Sequence, residues 1–567
     1  MIALLFLLLS LLIPTHAFAI YDPLSVTNNT YGIHVADTND IHDTAALINS
    51  SGGDWGYVTI VIEDHDRNTG KWQGIFNLMR RLHLIPIVRL ATHLDRDAWA
   101  KPTKESAPGW VQFLDSLNWP VVNRYIVLFN EPNHAKEWGG SVNPEEYADT
   151  VLTFPQALKS VSQDFFVLPA GLDASAATDG ESLDETAFLR RLIQSQPTFF
   201  DAIDGWTSHS YPNPGFSGSP FALGRGTLRT YLWELALANE LGNTKSLPVF
   251  ITETGWLHGE GKIVSPKLLS SEAVASNFTI ATSMWSDPRI AAVTPFVFNY
   301  QDIPFDHFSW RKLGTSEFYP QFYSYQSIPK VKGKPRQRLV FIPSHPLFPP
   351  SLVADSRYNL TTELKNEGSG ILDNNDFELS VEATPKRGFD IQSEPLPSLE
   401  PGESGTLSIH IQTPKKPGSY ELITSLKHFD ERIPLGTRTV SIVPPPSIVI
   451  SAQLGFRKTS TADDVSVLIY DGGSLIHRLT SLWLKDGQVN VEGLTGIIPG
   501  NSYRVVVLVP YYLPRQVVLP LSAQTTYVSL KRFLPFDLNR DGALTASDFL
   551  DMLQLAPKIF FDRLVGP

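Results

Sequence analysis

The sequence predicts a multidomain chain: a (β/α)8 barrel, then two all-β sandwich modules, then a short loop-and-helix segment. Three observations predict it. Between about residues 31 and 327, eight short apolar runs alternate with amphipathic helical stretches. Beyond Pro329 the texture changes to short alternating runs broken by turn signals such as Pro401-Gly402 and Pro417-Gly418. Near the end, Asp, Asn and Gly recur at fixed offsets ahead of an apolar helical pattern. At 567 residues the chain also exceeds what one hydrophobic core can use.

Residues 1–19 read as a signal peptide. Ile2 to Ile13 is a nearly unbroken apolar run, followed by Pro14 and a small-residue site at Ala17-Phe18-Ala19. No Lys or Arg precedes the run, so an uncleaved anchor is the alternative, but about a dozen apolar residues is short for a span. No later segment is long and apolar enough to cross a bilayer, so a secreted or cell-surface chain without a membrane span is expected. Cysteine is absent, which leaves compartment to the leader alone. Net charge is −12 and no basic cluster is present, which excludes nucleic acid as a partner class.

The barrel is expected over residues 20–330. Its strands are predicted at Tyr31–Val35, Tyr57–Glu63, Pro86–Leu90, Tyr125–Phe129, Phe166–Ala170, Gly205–Ser208, Val249–Thr252 and Ala292–Phe298. Between them Ile75, Leu78, Met79 and Leu82 recur on one helical face, as do Leu228, Leu232 and Leu235. A doubly wound open sheet would want a glycine-rich first turn, and Gly32-Ile33-His34 offers none. Residues 331–350, rich in Pro, Lys and Arg, read as a linker. A β-sandwich follows over 351–445, with Leu407, Ile409 and Ile411 alternating, and a second β-rich module over 446–532, with Val465, Val467 and Ile469 doing the same.

Two of the predicted strands have one design. The apolar run Tyr125 to Phe129 ends in Asn130-Glu131-Pro132, where proline stops the ladder. Val249 to Thr252 runs into Glu253, then Thr254, Gly255 and Trp256. A parallel barrel gathers such strand ends at one mouth, so these two carboxylates are expected to meet there. Two facing carboxyl groups, one protonated and one ionised, are what glycosidic bond cleavage needs. In that chemistry Glu131 supplies the proton and Glu253 the charge beneath the anomeric carbon.

These letters resemble the clan A glycoside hydrolases, families 5 and 39 in particular. There an Asn-Glu-Pro closes strand four and carries the acid/base, and strand seven ends in the nucleophile. The resemblance covers about the first 330 residues and implies a retaining reaction on β-glycosidic bonds of a carbohydrate, without a catalytic cofactor. It also implies that Asn130 bonds the sugar 2-hydroxyl, that His209 of His209-Ser210-Tyr211 lies near the acid/base or the sugar, and that Tyr211 holds Glu253. Arg89, ending strand three, is expected to neutralise charge near the nucleophile. Family 5 usually ends strand eight in a tryptophan platform, whereas Phe298, Asn299 and Tyr300 stand here. Tyr300 and Trp256 are taken as substrate contacts, and Trp138 and Trp310 lie in strand-end loops where rings stack on sugars. Each Trp is also read as ordinary packing. Glu63-Asp64-His65 reads as a solvated loop rather than a zinc site, and Asp173 as a substrate contact or a helix cap.

In residues 533–567, Asp537, Asn539, Asp541 and Gly542 stand at positions one, three, five and six of a loop, with the Ala543 carbonyl at seven, Thr545 at nine and Asp548 at twelve. That spacing suits Ca²⁺, although an EF-hand proper has glutamate at twelve. The loop resembles one dockerin repeat, which implies a cohesin-like partner. A full dockerin has two repeats, so the alternative is a loop folded against the preceding β module. The β modules resemble immunoglobulin-like spacers or carbohydrate-binding accessories. Two further functional readings stay open: a non-catalytic glycan-binding surface protein, and a transglycosylase with the same residues.

Overall fold

The computed structural model describes residues 20–386 and 388–554. The expected leader and the last thirteen residues of the terminal segment lie outside them. Among the described residues no helix is long and apolar enough to cross a membrane. The chain divides into two compact units, Met1–Leu339 with Gly368–Gly370, and Val340–Glu367 with Ile371–Pro567.

The first unit is the barrel. Its strands are β1 (Gly32–Val35), β2 (Gly56–Glu63), β3 (Leu84–Ala91), β4 (Arg124–Val127), β5 (Phe165–Leu168), β6 (Trp206–His209), β7 (Val249–Glu253) and β8 (Ile290–Val293). Five pair in parallel in the order β1 to β5, and three in the order β8-β7-β6. Two seams close the ring. Val293 N–H donates to Thr30 O at 2.8 Å beside the parallel bridge Tyr31–Val293, and Asp173 bridges His209 in parallel past the end of β5. A closed ring of parallel strands rules out the open doubly wound sheet.

Strand residues are buried on both faces, as continuous apolar runs require. One set, including Tyr57, Tyr125, Phe166 and Phe250, fills the barrel interior, with Tyr125 and Phe250 ring centres 5.3 Å apart. The alternate set, including Val58, Val88 and Ile126, packs against the helices outside. Helix Thr69–Arg81 buries Met79 as expected, and Asn68 caps its first turn by accepting from Lys71 N–H. Helix Thr230–Glu240 turns a different face inward from the one expected. Tyr231, Glu234, Leu237 and Ala238 are buried, and Leu232 and Leu235 only half so.

The expected linker is structured instead. Gly333 N–H donates to Asp54 O and Lys334 N–H to Thr27 O, holding residues 331–339 against the barrel's amino-terminal end. Phe341–Pro343 then pairs antiparallel with Arg357–Asn366.

In the second unit, two four-stranded sheets form the first sandwich, one of them built on Arg357–Asn366 with Ser404–Gln412, the other on Gly418–His428 with Glu431–Val443. The module beyond Ser447 has a three-stranded and a five-stranded sheet around Ile448, Val467 and Val505. Pro535–Asp537 is an edge strand of that five-stranded sheet, so the terminal loop springs directly from the second module. It leads into helix Ala546–Gln554.

Candidate active site

The barrel mouth opens into a cleft of about 500 Å³. Glu131 reaches it from the loop after β4. The chain leaves that strand through left-handed conformations, Phe129 at φ +72° and Glu131 at φ +29°. Residues with side chains adopt these only where surroundings hold them. Glu131 N–H is tied to Gly171 O at 3.1 Å, and Phe129 packs on Trp138 and Phe154. Glu253 is the last residue of β7, followed by Gly255 at φ +134°, a turn open to glycine.

His209, the last residue of β6, is the register partner of Glu253. Its Nδ1 lies 2.8 Å from Glu131 Oε1 and 3.9 Å from Glu253 Oε2. One ligand atom each from Glu131, His209 and Glu253 fall within 4.8 Å of one another. Gly171 makes room for the imidazole, since a Cβ there would stand 2.2 Å from His209 Cδ2.

Glu253 is gripped from two sides. Tyr211 O–H donates to Oε2 at 3.0 Å and Arg89 Nη1 donates to Oε1 at 2.5 Å. The same Arg89 nitrogen donates to Asn130 Oδ1 at 2.7 Å, and Asn130 Nδ2 donates to Glu137 Oε2 at 3.3 Å. Asn130 is thereby fixed at both ends of its amide. Burial pushes the Glu253 carboxyl upward, but His209, Arg89 and the Tyr211 hydroxyl outweigh it and hold the group at about 2. His209 goes the other way: burial lowers it, and the Glu253 charge and the Glu131 bond raise it further than that. His34, at the end of β1, is buried with Nδ1 3.9 Å from Glu253 Oε1; burial and Arg89 drive it down to about 3, so it stays neutral.

The cleft has members that sequence reasoning passed over. Trp99, from a short hairpin after β3, lines it, as do Glu137 and His134. Burial and the Glu131 charge raise Glu137 above the usual carboxylate range. Asp173 binds His134 Nε2 at 2.9 Å and also accepts from Ser175 N–H, so it orients a cleft imidazole as well as bracing its own loop.

Other expected contacts lie elsewhere. Trp256 is 2% exposed, donates Nε1–H to Gly218 O at 2.9 Å and packs on Phe278. Trp138 and Trp310 are likewise buried beneath the loops. Tyr300 stacks edge-on against Phe305, behind the ring that lines the cleft. His65 lies near Glu63 and Asp64 at the barrel surface, at 3.4 and 3.8 Å.

In the terminal loop, Asp548 accepts from Leu538, Asn539 and Thr545 N–H, and Asp541 Oδ1 accepts from Ala543 N–H. Asp537 Oδ2 accepts from Gly542 N–H, while its Oδ1 is buried without a hydrogen-bond partner.

No family model matches the chain, and no curated protein does either. Among solved structures it is similar to a family 39 glycoside hydrolase from the gut symbiont Bacteroides cellulosilyticus WH2, at 13% identity and a TM-score of 0.38 over 70% of this chain and 82% of that one. It is also similar to a β-mannanase from Thermomonospora fusca, at 12% identity and 0.35 over 54% and 89%. A third is AbfB, a family 51 α-L-arabinofuranosidase from Bifidobacterium longum, at 9% and 0.38 over 84% and 96%. At such values the functional reading rests on the geometry of the site itself.

Proposed function

We propose that this chain is a retaining glycoside hydrolase acting on β-glycosidic bonds by double displacement. The observation that carries the reading is the closeness of the two carboxyl groups, with oxygens of Glu131 and Glu253 inside 4.8 Å. Direct attack by a side chain requires carboxyl groups about 5–5.5 Å apart, whereas a water interposed for inversion needs about 6.5–9.5 Å. The electrostatics support the role given to Glu253. Glu253, held at about 2, is ionised at any working pH and suits the nucleophile.

In the first step a Glu253 oxygen attacks the anomeric carbon while Glu131 gives its proton to the leaving oxygen. The glycosidic C–O bond breaks as a glycosyl ester forms. In the second, Glu131 takes a proton from water, the water oxygen bonds the anomeric carbon, and the ester bond breaks to restore the Glu253 carboxylate. Arg89 and Tyr211 keep Glu253 oriented through both steps. Asn130, held between Arg89 and Glu137, is the residue to which the resemblance gives the sugar 2-hydroxyl.

Two sequence-level readings complete the proposal. The chain is exported by its leader. The terminal loop holds one Ca²⁺ through Asp537, Asn539, Asp541, the Ala543 carbonyl and Asp548, and the unpartnered buried oxygen of Asp537 fits such an ion. The hydrolase reading is tested with a panel of nitrophenyl β-glycosides and polysaccharides. Hydrolysis is expected from the wild type and its loss from Glu253→Ala. Glycan binding with no hydrolysis by either protein would favour the non-catalytic reading, and sugar transfer to an added acceptor in preference to water would favour a transglycosylase.

A further inference from the structure

Three consecutive loops at the barrel mouth, those after β6, β7 and β8, turn large apolar side chains to solvent. Phe221 is 63% exposed, Ile263 and Val264 73% each, and Ile303 62%. Such side chains scattered singly need no explanation, but a set carried on joined loops beside a cleft marks a binding surface. The loops are joined. Leu257 N–H donates to Phe216 O at 3.2 Å, and His258 N–H to His307 O at 3.0 Å. Lys262 Nζ donates to Asp302 Oδ1 at 2.6 Å, which brings their chain neighbours Ile263 and Ile303 to one stretch of rim.

The apolar character continues inward. On this side the cleft wall is Phe216, Leu257, Phe296, Pro304, Phe305 and Phe308. Phe296 and Phe305 have ring centres 5.2 Å apart, and Phe216 and Phe308 5.3 Å. The titratable groups not spent on the two catalytic carboxyls, His134, Lys136, Glu137 and Asp173, come from the loops after β4 and β5 instead. One aromatic ring serves the CH face of a sugar. Six apolar side chains leading to an exposed apolar rim would leave the hydroxyls of a glycan chain without partners, at a cost in desolvation.

We propose that the substrate is amphipathic: a glycoside whose sugar sits between Glu131 and Glu253 and whose aglycone is a hydrocarbon tail. The tail lies along Phe305 and crosses the rim between Ile303 and Ile263. This rests on the hydrolase reading and narrows its substrate class from polysaccharide to glycolipid-type glycosides.

The test uses methyl, butyl, hexyl and octyl β-glycosides of glucose, mannose, galactose and xylose, all below their micelle concentrations. For the sugar that is cleaved, kcat/KM is expected to rise with chain length, by about fourfold for each methylene fully buried. In the double variant Ile263→Ser, Ile303→Ser the octyl glycoside is expected to lose at least tenfold, while the methyl glycoside keeps its wild-type value. A series flat in the wild type, or a slope unchanged in the double variant, would overturn the proposal. So would a flat series accompanied by a concentration-dependent dimer that the double variant dissolves, which would assign the rim to a second copy of the chain. A binding arm separates this proposal from the hydrolase reading. Full-length Glu253→Gln is titrated with octyl and methyl glycosides by tryptophan fluorescence. Tighter octyl binding that the rim variant abolishes supports the tail site even if no glycoside is cleaved, and equal affinities overturn it.

Discussion

Replacing Arg89 with methionine removes the guanidinium shared by Glu253 and Asn130 and keeps most of the side-chain length. The ion pair is almost dry, with the two side chains 15% and 10% exposed, so solvent screening is weak. For charge centres about 4 Å apart at an effective dielectric of about 20, the attraction is about 4 kcal/mol. At 1.36 kcal/mol per unit, that is about three pKa units on the carboxylate. Glu253, held at about 2 in the wild type, is then expected to titrate near pH 5 in Arg89→Met. The sign follows from which form reacts: only the ionised carboxylate attacks, so activity is lost as pH falls through its pKa. The assay is kcat/KM on a nitrophenyl glycoside between pH 3 and 8, with circular dichroism to confirm a folded variant. In the wild type no acid limb from Glu253 is expected above pH 3, whereas the variant acquires one near pH 5. Its plateau also falls, because Asn130 loses its anchor. A folded variant whose acid limb has not moved would refute the claim that Arg89 keeps the nucleophile ionised.

Four further outcomes are expected. Glu131→Gln should lower kcat by about 10²–10⁴ on glycosides with poor leaving groups. It should spare bond cleavage of dinitrophenyl glycosides, and an equal loss on both would contradict the acid role. Trp99→Ala should raise KM with little change in melting temperature, whereas Trp256→Ala, emptying a buried site, should cost about 3–5 kcal/mol of stability. Lys330 Nζ donates to Tyr325 O at 2.9 Å, Ile328 O at 3.1 Å and Ser50 Oγ at 3.0 Å. Lys330→Met, which removes these bonds, should cost about 2–4 kcal/mol by chemical denaturation. Finally, EDTA should lower the melting temperature of the second unit in the full chain and CaCl2 should restore it; an unchanged melt would remove the calcium proposal.

The barrel was legible because its strands are buried on both faces. Each predicted run overlaps an observed strand, since a continuous apolar stretch such as Tyr125 to Phe129 has little other use. Strand ordinals then located Glu131, His209 and Glu253, because a parallel barrel delivers every strand end to one mouth. Loop residues carried no such signal. Trp256 and Trp138 sit in strand-end loops by sequence, yet lie beneath them in the core. Trp99 and the phenylalanine wall reach the cleft from a two-residue hairpin strand and from loops, segments too short for periodicity. The helix at Thr230–Glu240 misled for another reason: Glu234 is buried on the face that a count of leucines places outward, where it accepts Trp206 Nε1–H at 3.1 Å. Charge and proline content likewise made residues 331–339 look like linker, although their backbone groups are spent on the barrel.

The central claim is that Glu253 attacks the anomeric carbon, and a covalent trap tests it most directly. A 2-fluoro glycoside with a good leaving group slows release of the glycosyl ester more than its formation. Peptide mapping by mass spectrometry after brief incubation should find one sugar on the peptide containing Glu253, and none on the peptide containing Glu131. Continued hydrolysis with no adduct, together with a first-formed product of inverted configuration, would contradict it.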